Sequence, residues 1–394
     1  MRLTLLPRAS RALAASFFAC AFAALPAPPA LAQWTGLTVP PDGDNQKSLV
    51  SQHIGLVRVT VDYSSPDVHG PNGEDRTGKV WGELIPYGPT DLGFGSCAPN
   101  CPWRGGANQN TVFTVSHDVE VQGKPLPAGS YGLHFYPGAE EWTVIFSKNA
   151  TSWGSFTYDP NEDALRVTAK PQKSPAYNEW LTYEFTDRRP ERATVALRWE
   201  NLEVPFTVAV KDPVGLYVAQ MRRDLRDWQG FNWQNYETAA RYCLQNKANL
   251  PEAERWAEMA VSSPFGGQEN FRTLTTLSQL QAANGKAAES KTTLDRALAH
   301  RTAGPLEVHV YARQLQGEGK NEEALKIFEL NAKRYPGVWP TDLGLARGHA
   351  ALGHKEEARK HARQALAKAP DEPNRRGVEA LIQQLGGTTD GGGR

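Results

Sequence analysis

Trp103, Arg104, Asn108 and Gln109 crowd around the short run Gly105-Gly106-Ala107. An indole offers a flat apolar face, a guanidinium a planar fork for carboxylate, and the amides paired donors and acceptors. That mixture suits a sugar or a polar peptide. The same residues have a second reading, in which the glycines make a bulge or tight corner and the polar side chains tie down its backbone. His117 and His134 are further ligand-binding candidates. His117 shares strand parity with Phe113 and Val115, and His134 with Tyr136, so the two could meet only in a register that sequence does not set. No ligand motif with metal-site spacing accompanies them, and neither a metal nor another cofactor is expected. Glu74-Asp75-Arg76, following Gly70-Pro71-Asn72-Gly73, reads as a solvated turn more readily than as a hydrolytic carboxylate pair.

Cys97 and Cys101 lie four residues apart in a Gly/Pro-rich stretch, and a disulfide is favoured over a metal because no second ligand pair lies nearby. Cys243, between Tyr242 and Leu244 on a helical pattern, reads as a buried small hydrophobe rather than a nucleophile. No G-x-S-x-G, H-E-x-x-H, Walker or dinucleotide-binding signature occurs.

The elements that must position these residues follow from periodicity. Over residues 51–211 apolar residues alternate in short runs: Val57, Val59, Val61 and Tyr63; Phe113 and Val115; Tyr131, Leu133 and Phe135; Trp142, Val144 and Phe146. Leu165 and Val167, then Leu181, Tyr183 and Phe185, then Val195, Leu197 and Trp199, then Val204, Phe206 and Val208 continue the series. About nine short strands with Gly and Pro turns between them predict an antiparallel β-sandwich or jelly-roll-like domain.

Within this half, Trp81-Gly82-Glu83-Leu84-Ile85-Pro86-Tyr87-Gly88 and Pro102-Trp103-Arg104-Gly105-Gly106-Ala107-Asn108-Gln109-Asn110-Thr111 resemble the bacterial domain-of-unknown-function 2911 family. Pro127-Ala128-Gly129-Ser130-Tyr131-Gly132-Leu133, Glu141-Trp142-Thr143-Val144-Ile145-Phe146 and Trp153-Gly154 follow in the family's order. The resemblance spans about residues 50–211 and implies an exported domain without an established activity. Two departures stand out: an insertion from Pro89 to Cys101, and Gln109 where the family pattern has Glu. A catalytic role for that acid would be lost here, whereas a binding role survives, since Gln both donates and accepts.

After Pro213 the period becomes helical. Gly285-Lys286, Gly319-Lys320 and Gly353-His354 recur every 34 residues, the tetratricopeptide period. Ala324 and Ala358 occupy the close-packing position, Phe328 and Ala362 lie one turn on, and Pro336 and Pro370 follow the second helices. A more degenerate unit with Ala253, Ala257 and Ala260 precedes them, and Trp228, Trp233 and Tyr242 are expected to cap the stack. Matching units places Arg313 and Arg347 at one groove-facing position, with His309 and Gln316 beside them. Two stacked guanidiniums could hold a carboxylate or acidic peptide, and solvated surface arginines are the alternative.

Arg2, Arg8 and Arg11, the apolar run from Ala12 to Leu25 and Ala30-Leu31-Ala32 read as a secretory leader cleaved before Gln33. Anchoring through an acylated Cys20 is disfavoured, because Phe17-Phe18-Ala19 is a poor acylation motif. Losing three arginines turns a balance of 43 basic and 43 acidic residues slightly acidic, which leaves no electrostatic footprint for nucleic acid. No stretch predicts a transmembrane segment. The organisation expected is a signal peptide at 1–32, a linker at 33–50, the β domain at 51–211, tetratricopeptide-like repeats at 212–386 and a disordered Gly-rich tail at 387–394. The functional expectation is a periplasmic or secreted, non-catalytic binding or scaffold protein. Its β domain would take a carbohydrate or peptide, and its repeats a protein or peptide partner. An exported hydrolase of glycan or peptide and a structural cell-envelope component are the alternatives.

Overall fold

A computed structural model describes residues 45–70 and 72–386. The leader with Cys20, residues 33–44 of the stretch read as a linker, Pro71 and the tail at 387–394 lie outside the described residues. The chain divides into two compact units at Lys211 and Asp212.

In the first unit all ladders between named strands are antiparallel. One sheet joins six strands: β1 (Gln46–Ile54), β2 (Val57–Ser65), β3 (Thr111–Val115), β6 (Gly129–Tyr136), β7 (Trp142–Ser147) and β8 (Asp163–Ala169), in that spatial order. The other joins β5 (Lys124–Leu126), β4 (Val119–Val121), β10 (Arg192–Ala209) and β9 (Gln172–Thr186). Their inner faces meet through rings: Phe206 of β10 lies 6.1 Å from Phe113 and 5.9 Å from Phe146, and Tyr183 of β9 lies 4.9 Å from Tyr63. Edge contacts of this kind add about 0.5–1.5 kcal/mol each beyond the area they bury. The domain is therefore an antiparallel sandwich.

Two differences from the sequence pattern have local causes. β1 begins at Gln46, inside the stretch read as a linker; of its nine residues only Ile54 is buried, so it carries almost no apolar alternation. The runs ending at Trp199 and starting at Val204 are one strand, β10, not two. Bulges around Glu200, which has φ 52°, shift the register, so the buried positions change parity partway along.

The second unit holds α1 (Pro213–Asp224), α2 (Trp233–Asn246), α3 (Leu250–Ser262), α4 (Phe271–Ala283), α5 (Ala287–Ala299), α6 (Pro305–Gly317), α7 (Asn321–Arg334), α8 (Trp339–Ala351), α9 (Lys355–Leu366) and α10 (Glu372–Gln384). α4, α6 and α8 start 34 residues apart, and each opens a hairpin. Gly285, Gly319 and Gly353 sit in the hairpin turns with φ of 81°, 79° and 78°. A Cβ would meet nothing within 4 Å at any of them, so glycine is there for its left-handed backbone and not for space. Ala324, Ala358, Phe328 and Ala362 are fully buried, and Phe271 of the α4–α5 hairpin shares one core with Tyr311 and Phe328 of the α6–α7 hairpin. This is a tetratricopeptide-like solenoid. Trp228 stands largely exposed, so the capping of the first turns rests on residues such as Val218, Leu225 and Tyr242. Among the described residues no helix is long and apolar enough to cross a membrane.

Candidate functional site

The corner after Trp103 is built from backbone pairing. Trp103 and Phe135 exchange both N–H to O=C bonds at 2.8 Å, and Ala107 N–H donates to the Ser64 carbonyl at 3.0 Å. The Gly105 carbonyl accepts from the Thr111 hydroxyl at 2.9 Å and from the buried Tyr183 hydroxyl at 2.8 Å. Trp103 is half-buried, with its ring 5.8 Å from Trp81, 5.8 Å from Phe135 and 6.1 Å from Trp142. Arg104 donates through Nη1 to the Asn108 carbonyl at 2.9 Å, and the same carbonyl accepts from Gly154 N–H at 3.1 Å. Asn108 has φ 55°, and exposed Gln109 bridges to Trp153 through its backbone. The Arg104 side chain thus ties down the corner's backbone, whereas Asn108 contributes its backbone carbonyl.

The corner also has an open side. The Arg104 guanidinium lies 5.5 Å over the Trp153 ring; Trp153 stacks on Phe156 at 5.8 Å, and Phe156 on Phe94 at 4.5 Å. Trp153 is 47 % and Phe94 63 % exposed. Phe94 comes from the Pro89–Cys101 insertion, which is pinned by Thr90 and Cys101 exchanging backbone bonds at 2.9 Å and by the Cys97–Cys101 disulfide. Sequence reasoning missed Phe94, Trp153 and Phe156, since nothing local says that three rings from two separate segments stack.

His134 is 2 % exposed at the centre of the six-stranded sheet, with Nδ1 3.2 Å from the Ser155 hydroxyl. Burial, assisted by the Arg104 charge, pushes its pKa down to about 4. His117 lies elsewhere. β3 ends at Val115, leaving His117 half-buried in the following turn with Nδ1 2.9 Å from the Ser116 hydroxyl. Because Val115 pairs with Gly129 and Thr111 with Leu133, the two histidines flank opposite ends of that ladder, roughly 20 Å apart at about 3.4 Å per residue.

In the solenoid, Arg313, Gln316 and Arg347 do converge, lining a concavity of about 630 Å³ across α6, α8 and α10. Arg313 Nη1 donates to Gln316 Oε1 at 2.8 Å, and Gln316 Nε2 donates to the Arg347 carbonyl at 3.0 Å, so one amide ties both arginines together. Burial and the neighbouring Arg313 charge hold the half-buried Arg347 guanidinium below its ordinary pKa range, though still protonated. Neither arginine forms an ion pair among the described residues, and the described lining adds Lys355 and no carboxylate. The lining is periodic: Arg313, Arg347 and Leu381 are equivalent, as are Gln316, Ala350 and Gln384, and Asn321 and Lys355. Lys355 was therefore within reach of the 34-residue spacing, although sequence reasoning did not apply it there. His309 lies beneath the groove, not in it. It is buried 5.4 Å from the Phe328 ring, and desolvation together with Arg347 and Arg313 brings its pKa to about 4.

Residues 45–208 match the family described as protein of unknown function, DUF2911. The DUF2911 match covers the strands of the sandwich and with them the Trp103 corner. No curated protein matches the chain. Among solved structures, YrrB, described as a TPR protein with an unusual peptide-binding site, is 18 % identical, over 43 % of this chain and 84 % of its own, with a TM-score of 0.26. MamA from Desulfovibrio magneticus RS-1 is 14 % identical, over 39 % of this chain and 92 % of its own, with a TM-score of 0.24.

Proposed function

We propose that this protein is an exported, non-catalytic docking protein whose solenoid holds an acidic segment of a partner protein. The observation that carries the reading is the half-buried Arg347 beside Arg313 in a concavity whose described lining offers cations and no counter-ion. An incoming carboxylate supplies that counter-ion, and charge-assisted hydrogen bonds of this kind contribute about 1.5–3 kcal/mol each. Export is supported by the leader pattern of residues 1–32 and by the Cys97–Cys101 disulfide, which suits an oxidising compartment.

For the sandwich, the reading is recognition of a polar ligand, carbohydrate or peptide, at the rim where Arg104 meets the exposed Trp153 and Phe94. His134 and Ser155 are near enough for hydrolytic chemistry, but at 2 % and 4 % exposure they are closed to a substrate. That burial favours binding over hydrolysis at this position.

The solenoid reading is tested by fluorescence anisotropy of a labelled Asp/Glu-rich dodecapeptide with the full chain. Arg347→Gln is expected to weaken binding about 30-fold, in line with about 2 kcal/mol for one charge-assisted contact, and added salt to weaken it further. Equal affinity for the Asn/Gln counterpart of the peptide would overturn the reading.

A further inference from the structure

The last complete hairpin carries a feature that its siblings lack. At the three equivalent positions of the preceding hairpin stand Leu315, Lys320 and Ile327, and in the one before it Gln281, Lys286 and Thr293. Here they are His349, His354 and His361. The turn itself is shared: Lys286, Lys320 and His354 N–H donate to the Gln281, Leu315 and His349 carbonyls at 2.8, 2.9 and 2.9 Å. The hairpin therefore forms without histidine, and the three imidazoles are an addition to the scaffold.

Two of the three already stand as metal ligands do. The turn brings His349 Nδ1 within 3.3 Å of His354 Nδ1. Two imidazole nitrogens bound tetrahedrally to one zinc ion, at about 2.0–2.1 Å each, stand about 3.4 Å apart. The His361 ring lies parallel to that of His349, with centroids 5.7 Å apart. His361 Nδ1 faces the Gln364 side-chain oxygen at 3.1 Å; an oxygen acceptor there keeps the proton on Nδ1 and leaves the Nε2 lone pair available, the outer hydrogen bond typical of a metal-bound histidine. Glu357 and Glu329 lie near His349, but burial and the neighbouring His361 and His354 outweigh them and hold its pKa below the ordinary value. No three such side chains already surround one point among the described residues. The described geometry is a preformed pair with the His361 ring beside it; binding through all three imidazoles requires His361 to turn in and would leave a fourth position for water or an outside ligand.

We propose that His349, His354 and His361 bind a divalent transition-metal cation of the zinc class. Nitrogen ligands select such an ion over magnesium or calcium, which take oxygen. Coordination at Nδ1 needs both paired rings as their Nε2–H tautomers, so the proton shared between the two Nδ1 atoms moves to Nε2 of the ring that carried it, with no net proton release. The site does not depend on the acidic-segment reading.

The test is zinc binding to the tag-free full chain, by competition with a chromophoric chelator, with X-ray absorption to identify the ligands. One zinc per chain and a three-imidazole signature are expected. His354→Ala and His349→Ala should each weaken binding at least tenfold, and His361→Ala should leave two imidazoles on the metal. Unchanged circular dichroism of the variants separates ligand loss from misfolding, and His354→Cys, which restores a zinc ligand, should recover binding. Absence of submillimolar zinc binding, or binding that all three alanine variants retain, would overturn the proposal.

Discussion

Gly105→Ala is expected to destabilise the sandwich by about 3 kcal/mol, through one added methyl group. Gly105 has φ 68°, and its Cβ would sit 2.7 Å from Phe135 Cε2 and 2.8 Å from the Tyr183 hydroxyl. Both neighbours are fully buried, and Tyr183 is held by its hydrogen bond to the Gly105 carbonyl. Neither can retreat without breaking the corner that carries Arg104. Gly123→Ala is the control: φ is 74°, nothing lies within 4 Å of its Cβ, and only the left-handed backbone cost of about 1 kcal/mol applies. Hydrogen exchange at β3 and β6 in the full chain reads both changes. Equal losses for the two variants would show that the corner is not the packed knot described here.

Acid is expected to weaken both units between pH 6.5 and about 4, through one buried histidine in each. His134 and His309 have folded pKa values near 4, below the ordinary 6.5, so between these values the unfolded chain binds more protons than the folded one. The stability due to each neutral, buried ring is therefore complete above pH 6.5 and lost as pH falls towards 4. At about 1.4 kcal/mol per pKa unit, each unit of the protein should lose about 3 kcal/mol across that window. Glu252, held near 2 chiefly by its hydrogen bond from Arg222, contributes stability that is lost only below its ordinary 4.5, so the two effects separate on the pH axis. His134→Gln should flatten the slope for the sandwich between pH 6.5 and 4.5 and leave the solenoid's slope intact. An unchanged sandwich slope in that variant would contradict the assignment.

The fold was legible wherever burial imposes a period. β2, β3 and β7 show their alternation because one face is sealed against the opposite sheet, and the solenoid shows its 34-residue spacing because every turn needs the same left-handed glycine. Reading failed where that constraint lapses, as in exposed β1, or reverses, as at the Glu200 bulge. The sites followed the same rule. Arg313 and Arg347 line one concavity, as equivalence between repeats implies, because that equivalence carries three-dimensional information. His309 was placed on the groove instead of under it, because unit matching fixes a position along a helix more sharply than its tilt. In the sandwich, Trp103 gave no local sign that Trp81 and Trp142 would cover it, nor Trp153 that Phe156 and Arg104 would stack on its ring.

Docking through the paired arginines is tested most directly by NMR on the nitrogen-15-labelled full chain. The guanidinium Nε–Hε signals of Arg313 and Arg347 are followed as the acidic dodecapeptide is added. Both should shift along one binding curve, while that of Arg104 stays in place. Bound peptide with the Arg313 and Arg347 signals unmoved would contradict the docking role.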